Sequence, residues 1–145
     1  MLGHVGRRLR MAGYDTIIDR GETSDADLIE RAKRENRLFL TCDKKIQEIK
    51  GAEDLLIYLD KGDEISWAKY LSHHFDVNWT HAPFTYCIDC NRPLEAVPSA
   101  AYDRLPLNIK QQGQSGRYCP SCDKVFWEGS HVERMKQQLQ KLNEI

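Results

Sequence analysis

The stretch LFLTCDKK, Leu38–Lys45, decides how the first half of the chain reads. An apolar run stops at a carboxylate, Asp43, with Lys44 and Lys45 directly behind it. Asp43 is then either the turn residue that ends a buried strand or one wall of a site. The eight residues alone fit both readings, so their neighbours have to decide. Two other apolar runs end the same way, TIID at Asp19 and LLIYLD at Asp60, and helical patterns lie between them. Leu2, Val5, Leu9 and Ala12 recur at helical spacing, with Gly13 as a stop. Ser24 can cap a second helix. Asp25 and Asp27 fall in its first turn, where the helix dipole favours negative charge, and Leu28, Ile29 and Ala32 supply its buried face. Residues 14–19, 37–41 and 54–59 read as strands, residues 44–50 as a short helix and residues 64–75 as a longer one.

Strands alternating with helices imply right-handed crossovers and a parallel sheet. Short, nearly continuous apolar strands fit a sheet covered by helices on both faces. The carboxyl ends of parallel strands share one edge, where open α/β folds bind ligands. Asp25 opens the helix after the first strand and can lie near that edge. Carboxylates gathered there repel one another unless a cation joins them. Hard oxygen donors suit magnesium or manganese, which activate water and steady an in-line phosphoryl displacement. Lys44 and Lys45, with the cluster Arg7, Arg8 and Arg10, are candidate contacts to a phosphate backbone. Aspartate is also a common turn residue after any strand. Asp19 and Asp60 are read that way, Asp27 as a first-turn residue and Cys42 as a small packing residue.

A length of 145 residues suits one ordinary domain or two small ones. A composition 41% hydrophobic and 30% charged is that of a globular chain, not a disordered one. The formal net charge of −1 gives no bulk attraction to nucleic acid, and the acidic stretch from Glu53 to Asp76 reads as a solvated face. No apolar run approaches the roughly 18 residues of a membrane span. The opening MLGHVGRRLR lacks the apolar core of a secretory signal. Five cysteines, an odd count without a signal, point to a reducing compartment and to metal binding. Cytoplasmic localisation is the expectation.

The chain changes character near residues 78–85, dividing it into residues 1–80 and residues 81–145. The second part carries two Cys-x-x-Cys pairs, Cys87 with Cys90 and Cys119 with Cys122, separated by 28 residues. Each pair can sit on the tight turn of a hairpin, and four thiolates then close a tetrahedral zinc site. The long spacer costs little closure entropy. A full sulfur shell leaves no position for water, so the zinc is structural and contributes to folding. Ser130 and Glu133 match a capping box, so a terminal helix should start there. Val132, Met135, Leu139 and Leu142 form an apolar stripe expected to pack against the chain itself. His131 is read as a first-turn surface residue. Tyr86, Tyr118 and Trp127 are read as packing around the zinc core, not as stacking platforms for bases.

The runs MLGHVGRRLRMAGYDT, SDADLIERA and RLFLTCDKK, and the pair CIDCNRPL…CPSCDKVFWEGSH, together resemble the Mut-seven carboxyl-terminal RNase domain family. The likeness covers nearly the whole chain. Its specificity lies in the order of the motifs and in Trp127, Gly129, Ser130 and His131 after the last cysteine pair. The resemblance implies a PIN-like parallel sheet, divalent-metal ribonuclease chemistry and a zinc ribbon that helps to hold RNA. Asp25 matches the acidic position opening the second helix. Asp43 matches the aspartate of the family's Thr-Arg-Asp run, with Cys42 in place of the arginine. The family's first strand, ending in an aspartate before Leu-Gly, has no counterpart ahead of Leu2 and Gly3. Three explanations stand open: a chain shortened at its start, a domain that has lost catalysis, or a site rebuilt from Asp19, Asp25, Asp43 and Asp60.

The expected fold is therefore α/β, a PIN-like parallel sheet flanked by helices and lacking the usual first strand, followed by a small zinc ribbon and a C-terminal helix. The expected function is a metal-dependent ribonuclease. Asp25 and Asp43 would hold magnesium or manganese, and the RNA partner would be of the tRNA or ribosomal class. The alternative is a catalytically impaired RNA- or ribosome-binding adaptor that keeps the zinc ribbon and the basic residues. A third reading is a protein-interaction module using the terminal helix.

Overall fold

The structure, a computed structural model, describes residues 2–145. Helix α1, Gly3–Ala12, ends at Gly13, whose φ of 99° lies in the left-handed region. A side chain at Gly13 would also collide with the Ala82 carbonyl, so both backbone and packing require glycine there. Helix α2, Asp25–Arg34, is capped by Ser24, whose Oγ accepts from the Asp27 N–H at 3.2 Å. Helix α3, Glu64–Phe75, starts with a capping box formed by Asp63 and Ser66. The helices thus begin and end largely where turn and cap chemistry predicts.

Strands β1, Phe39–Thr41, and β2, Leu56–Tyr58, pair in parallel with Leu40 opposite Ile57. Phe39 N–H donates to the Leu55 carbonyl and Leu59 N–H to the Thr41 carbonyl, each at 2.8 Å. In a parallel ladder alternate residues serve opposite neighbours. The peptide groups of Leu40 therefore face away from β2, along an edge on which no strand pairs among the described residues. The expected strand over residues 14–19 does not form. That segment is irregular and belongs to no ladder among the described residues. Its backbone is held by side chains instead: Arg10 Nε donates to the Thr16 carbonyl at 2.7 Å, and Thr16 N–H donates to Asn91 Oδ1 at 2.8 Å. Two of the three expected strands are present, and the parallel sheet is correspondingly small.

The second part of the chain forms an antiparallel sheet of β3, Glu95–Ala96, β4, Arg117–Cys119, and β5, Lys124–Phe126, in that order. The spacer between the cysteine pairs folds into a 3-10 turn at Ser99–Arg104 and helix α4, Leu107–Gln111. Helix α5, Ser130–Asn143, is entered through Gly129, which takes the extended cap geometry without a side-chain bond. Ser130 is thus the first residue of the helix and not its cap. The capping box read from Ser130 and Glu133 does not form, because the chain turns into the helix one residue earlier.

The main core gathers Val5, Leu9 and Ala12 of α1, Ile57 and Leu59 at β2, Trp67, Ala68 and Leu71 of α3, Trp79, and Leu139 of α5. Trp79 and Leu139 are fully buried. The Trp79 indole N–H donates to Ser72 Oγ at 2.8 Å, and the Trp79 backbone N–H donates to Asn143 Oδ1 at 2.8 Å. Leu139 and Leu142 of the α5 stripe therefore close over the helices of the first half, while Val132 and Met135 lie against the ribbon. A second small cluster, Ile29, Ile46 and Ala52, packs beneath α2.

Candidate functional site

Two chemically distinct sites stand on this frame. The first is the four-cysteine cluster. Cys87 N–H donates to the Arg92 carbonyl and Asn91 N–H to the Cys87 carbonyl, both at 2.8 Å. Asn91 adopts a φ of 69° to make that turn. The second pair closes the β4–β5 hairpin, where Asp123 has a φ of 53° and Cys122 N–H approaches Cys119 Sγ at 3.4 Å. The four sulfurs all lie within 4.8 Å of one another. Cys90 and Cys119 sulfurs are 3.4 Å apart, and Cys87 and Cys122 sulfurs 3.9 Å. Tetrahedral Zn–S bonds of about 2.3 Å require sulfurs about 3.8 Å apart, whereas a disulfide requires about 2.0 Å. The donor set and its spacing fit zinc. Four thiols so close cannot all ionise by themselves. The neighbouring Cys90 thiol, and then burial, push Cys122 up to about 12. Burial pushes Cys119 up as well, but the N–H groups of Cys122 and Ser121 and the adjoining thiols outweigh it, and its thiol titrates below the usual range.

The first knuckle is docked onto α1. Arg10 is buried, at 6% exposure, and its guanidinium donates to the carbonyls of Thr16 and Ile88 at 2.7 and 3.0 Å. Arg7 pairs with Asp89 at 3.2 Å, which also receives Lys124 at 2.8 Å. Arg8 is held by Glu64 and Gln138, both at 2.7 Å. The three arginines expected to meet a phosphate backbone thus all have partners within the protein, Arg7 and Arg8 while still partly exposed. Arg10 in particular is turned inward, joining α1 to the knuckle. Sequence gave no sign of this, since backbone carbonyls carry no sequence signature and one of the two, Ile88, lies 78 residues away.

The second site is a cleft of about 1570 Å³ bounded by α1, residues 14–20, the start of α2 and the carboxyl end of β1. Asp19, Asp25 and Asp43 line it, together with Arg20, Lys44, Lys45 and Lys61. Asp43 caps the 3-10 turn Lys44–Glu48, with its Oδ1 accepting from the Lys45 N–H at 2.9 Å. Asp19 Oδ2 likewise accepts from Gly21 N–H at 2.9 Å, and Asp60 Oδ1 from Lys61 N–H at 3.0 Å. Asp19, Asp43 and Asp60 therefore each serve their own turn. For Asp43 the second oxygen is left over for other work. Asp25 and Asp43 share the cleft wall, but Asp60 does not. Among the described residues, the four cysteines are the only group of three or more side chains spaced to hold one ion. Cys42 is half-buried against the main core, and burial pushes its thiol up, as suits a packing residue.

The family model described as Mut7-C RNAse domain matches residues 1–139 of the chain. Neither a curated protein nor a solved structure matches it.

Proposed function

Because the chain belongs to the Mut7-C RNAse domain family, we propose that it is a metal-dependent ribonuclease whose reaction takes place in the cleft above β1. The observation that carries this reading is that Asp25 and Asp43 line one cleft flanked by Lys44 and Lys45. Asp25 and Asp43 are the residues that would hold magnesium or manganese, since hard carboxylate oxygens suit either ion. When bound, such an ion activates water and steadies the charge of a phosphoryl displacement. Lys44 and Lys45 would orient the RNA backbone by pairing with its phosphates. Arg7 and Arg10 support this indirectly by fixing α1 to the zinc knuckle, and Arg8 by tying α1 to α3 and α5. The ribbon holds structural zinc and extends the surface for an RNA of the tRNA or ribosomal class. Reduced thiols are compatible with a cytoplasmic setting.

The adaptor reading has its own support. Among the described residues, neither Asp25 nor Asp43 belongs to a group of three or more side chains spaced to hold one ion, and Asp43 already caps a turn. An adaptor would keep the zinc ribbon and the lysines without hydrolysis. Incubating the zinc-loaded chain with end-labelled RNA and manganese or magnesium, beside Asp43→Asn, separates the two. Cleavage by the parent that falls at least about 100-fold in the variant supports the ribonuclease. RNA retained by both proteins and cut by neither supports the adaptor.

A further inference from the structure

We propose that a cavity on the zinc ribbon, walled by Phe84, Tyr86, Phe126 and Trp127, takes one unpaired base of a bound RNA strand. The proposal rests on the nucleic-acid reading above and adds a subsite to it. The cavity measures about 420 Å³ and shares no residue with the carboxylate cleft. It falls within the roughly 300–1,000 Å³ of ordinary small-ligand sites.

Its chemistry narrows the occupant. Trp67 and Trp79 are buried in the main core, whereas Trp127 is 38% exposed. Aromatic rings that only filled the ribbon would be covered by it. These line open space, with Leu94, Ile109, Val132 and Met135 completing an apolar wall. Asn108, Ser130 and His131 also line the cavity, and none of the three side chains makes a hydrogen bond among the described residues. All three are exposed, so a ligand with a polar edge can hydrogen-bond to them where an aliphatic one cannot. A base offers a face to stack and an edge to hydrogen-bond, which is the way single-stranded RNA is read. Lys136 Nζ lies 6.0 Å from the Phe84 ring centroid and pairs with Glu128 at 2.8 Å and Glu133 at 3.9 Å, so its charge is taken up within the protein and the subsite reads the base, not the phosphate.

The test uses the full zinc-loaded chain without added magnesium or manganese, at one fixed salt concentration. Two labelled probes are titrated: an oligouridylate octamer, and an octamer of the same backbone without bases. The octamer with bases should bind about 5- to 150-fold more tightly, the factor that one stacked base supplies. Trp127→Ala should remove most of that difference, and Trp127→Phe, which keeps a ring, should restore it. Asn108→Ala changes an exposed residue and should weaken the octamer with bases while leaving the abasic one unchanged. Equal binding of the two probes, no binding of either, or an undiminished preference in Trp127→Ala would each overturn the proposal. A parent that cleaves RNA yet ignores the bases sinks this subsite and leaves the ribonuclease standing. A base preference without cleavage does the reverse.

Discussion

Gly13 and Arg10 lie three residues apart and each ties the first helix to the second half of the chain. Gly13 is left-handed, and any Cβ there would strike Ala82. Gly13→Ala should therefore lose about 2–4 kcal/mol, read as a lower urea midpoint at unchanged slope. Arg10→Met would leave the Thr16 and Ile88 carbonyls without their donor. A loss of about 2–4 kcal/mol is expected by the same measurement, with the larger share in the docking of the knuckle. Asp15 supplies a pH signature. Its carboxylate is hydrogen-bonded by Arg37 at 2.9 Å, which outweighs the opposing effect of burial, and Asn91 adds a further bond at 2.6 Å. The folded pKa is thus below the unfolded value of about 3.9. The stabilisation is complete above that value and is lost as pH falls through the folded one. Asp15 is partly exposed, so the effect should stay under about 1 kcal/mol. Asp15→Asn should flatten the acid limb of stability against pH, and an unchanged limb would contradict the assignment.

At the scale of elements, local chemistry was legible and long-range pairing was not. Ser24 and Gly13 mark helix ends because a cap or a left-handed turn is decided within a few residues. The two Cys-x-x-Cys turns could be read for the same reason, and the sulfurs meet as their spacing implies. The run at residues 14–19 has the composition of a strand but lacks a neighbour to pair with, and no residue inside it reports that. Asp43 shows the same limit at a site. Its role at the turn is local and visible, whereas its sharing of a cleft with Asp25 depends on how α2 returns to β1. The zinc knuckles yield an elemental prediction: metal analysis should find one zinc per chain. A strong chelator should remove it and unfold the turns at residues 85–94 and 119–124, seen as loss of amide-exchange protection confined first to the ribbon.

Taken whole, the molecule has its last helix inside its first core. Leu139 packs with Val5, Leu59 and Trp79, and Asn143 holds the backbone of Trp79. The knuckle is tied to α1 by Arg7 and Arg10. Denaturation of the zinc-loaded chain should then be a single cooperative event. Tryptophan fluorescence, dominated by the buried Trp67 and Trp79, should fall at the same urea concentration at which a colorimetric dye detects released zinc. Separated midpoints would mean that the halves unfold independently. The bare margin of β1 has another outcome at high concentration. Leu40 offers peptide groups with no partner among the described residues, and the neighbouring Leu38 side chain is exposed. Such a strand is a template for fibrillar stacking between copies, and charged residues beside it act as gatekeepers. Lys44 and Lys45 occupy that position, so replacing both would make solutions turn cloudy as well as altering any traffic with RNA.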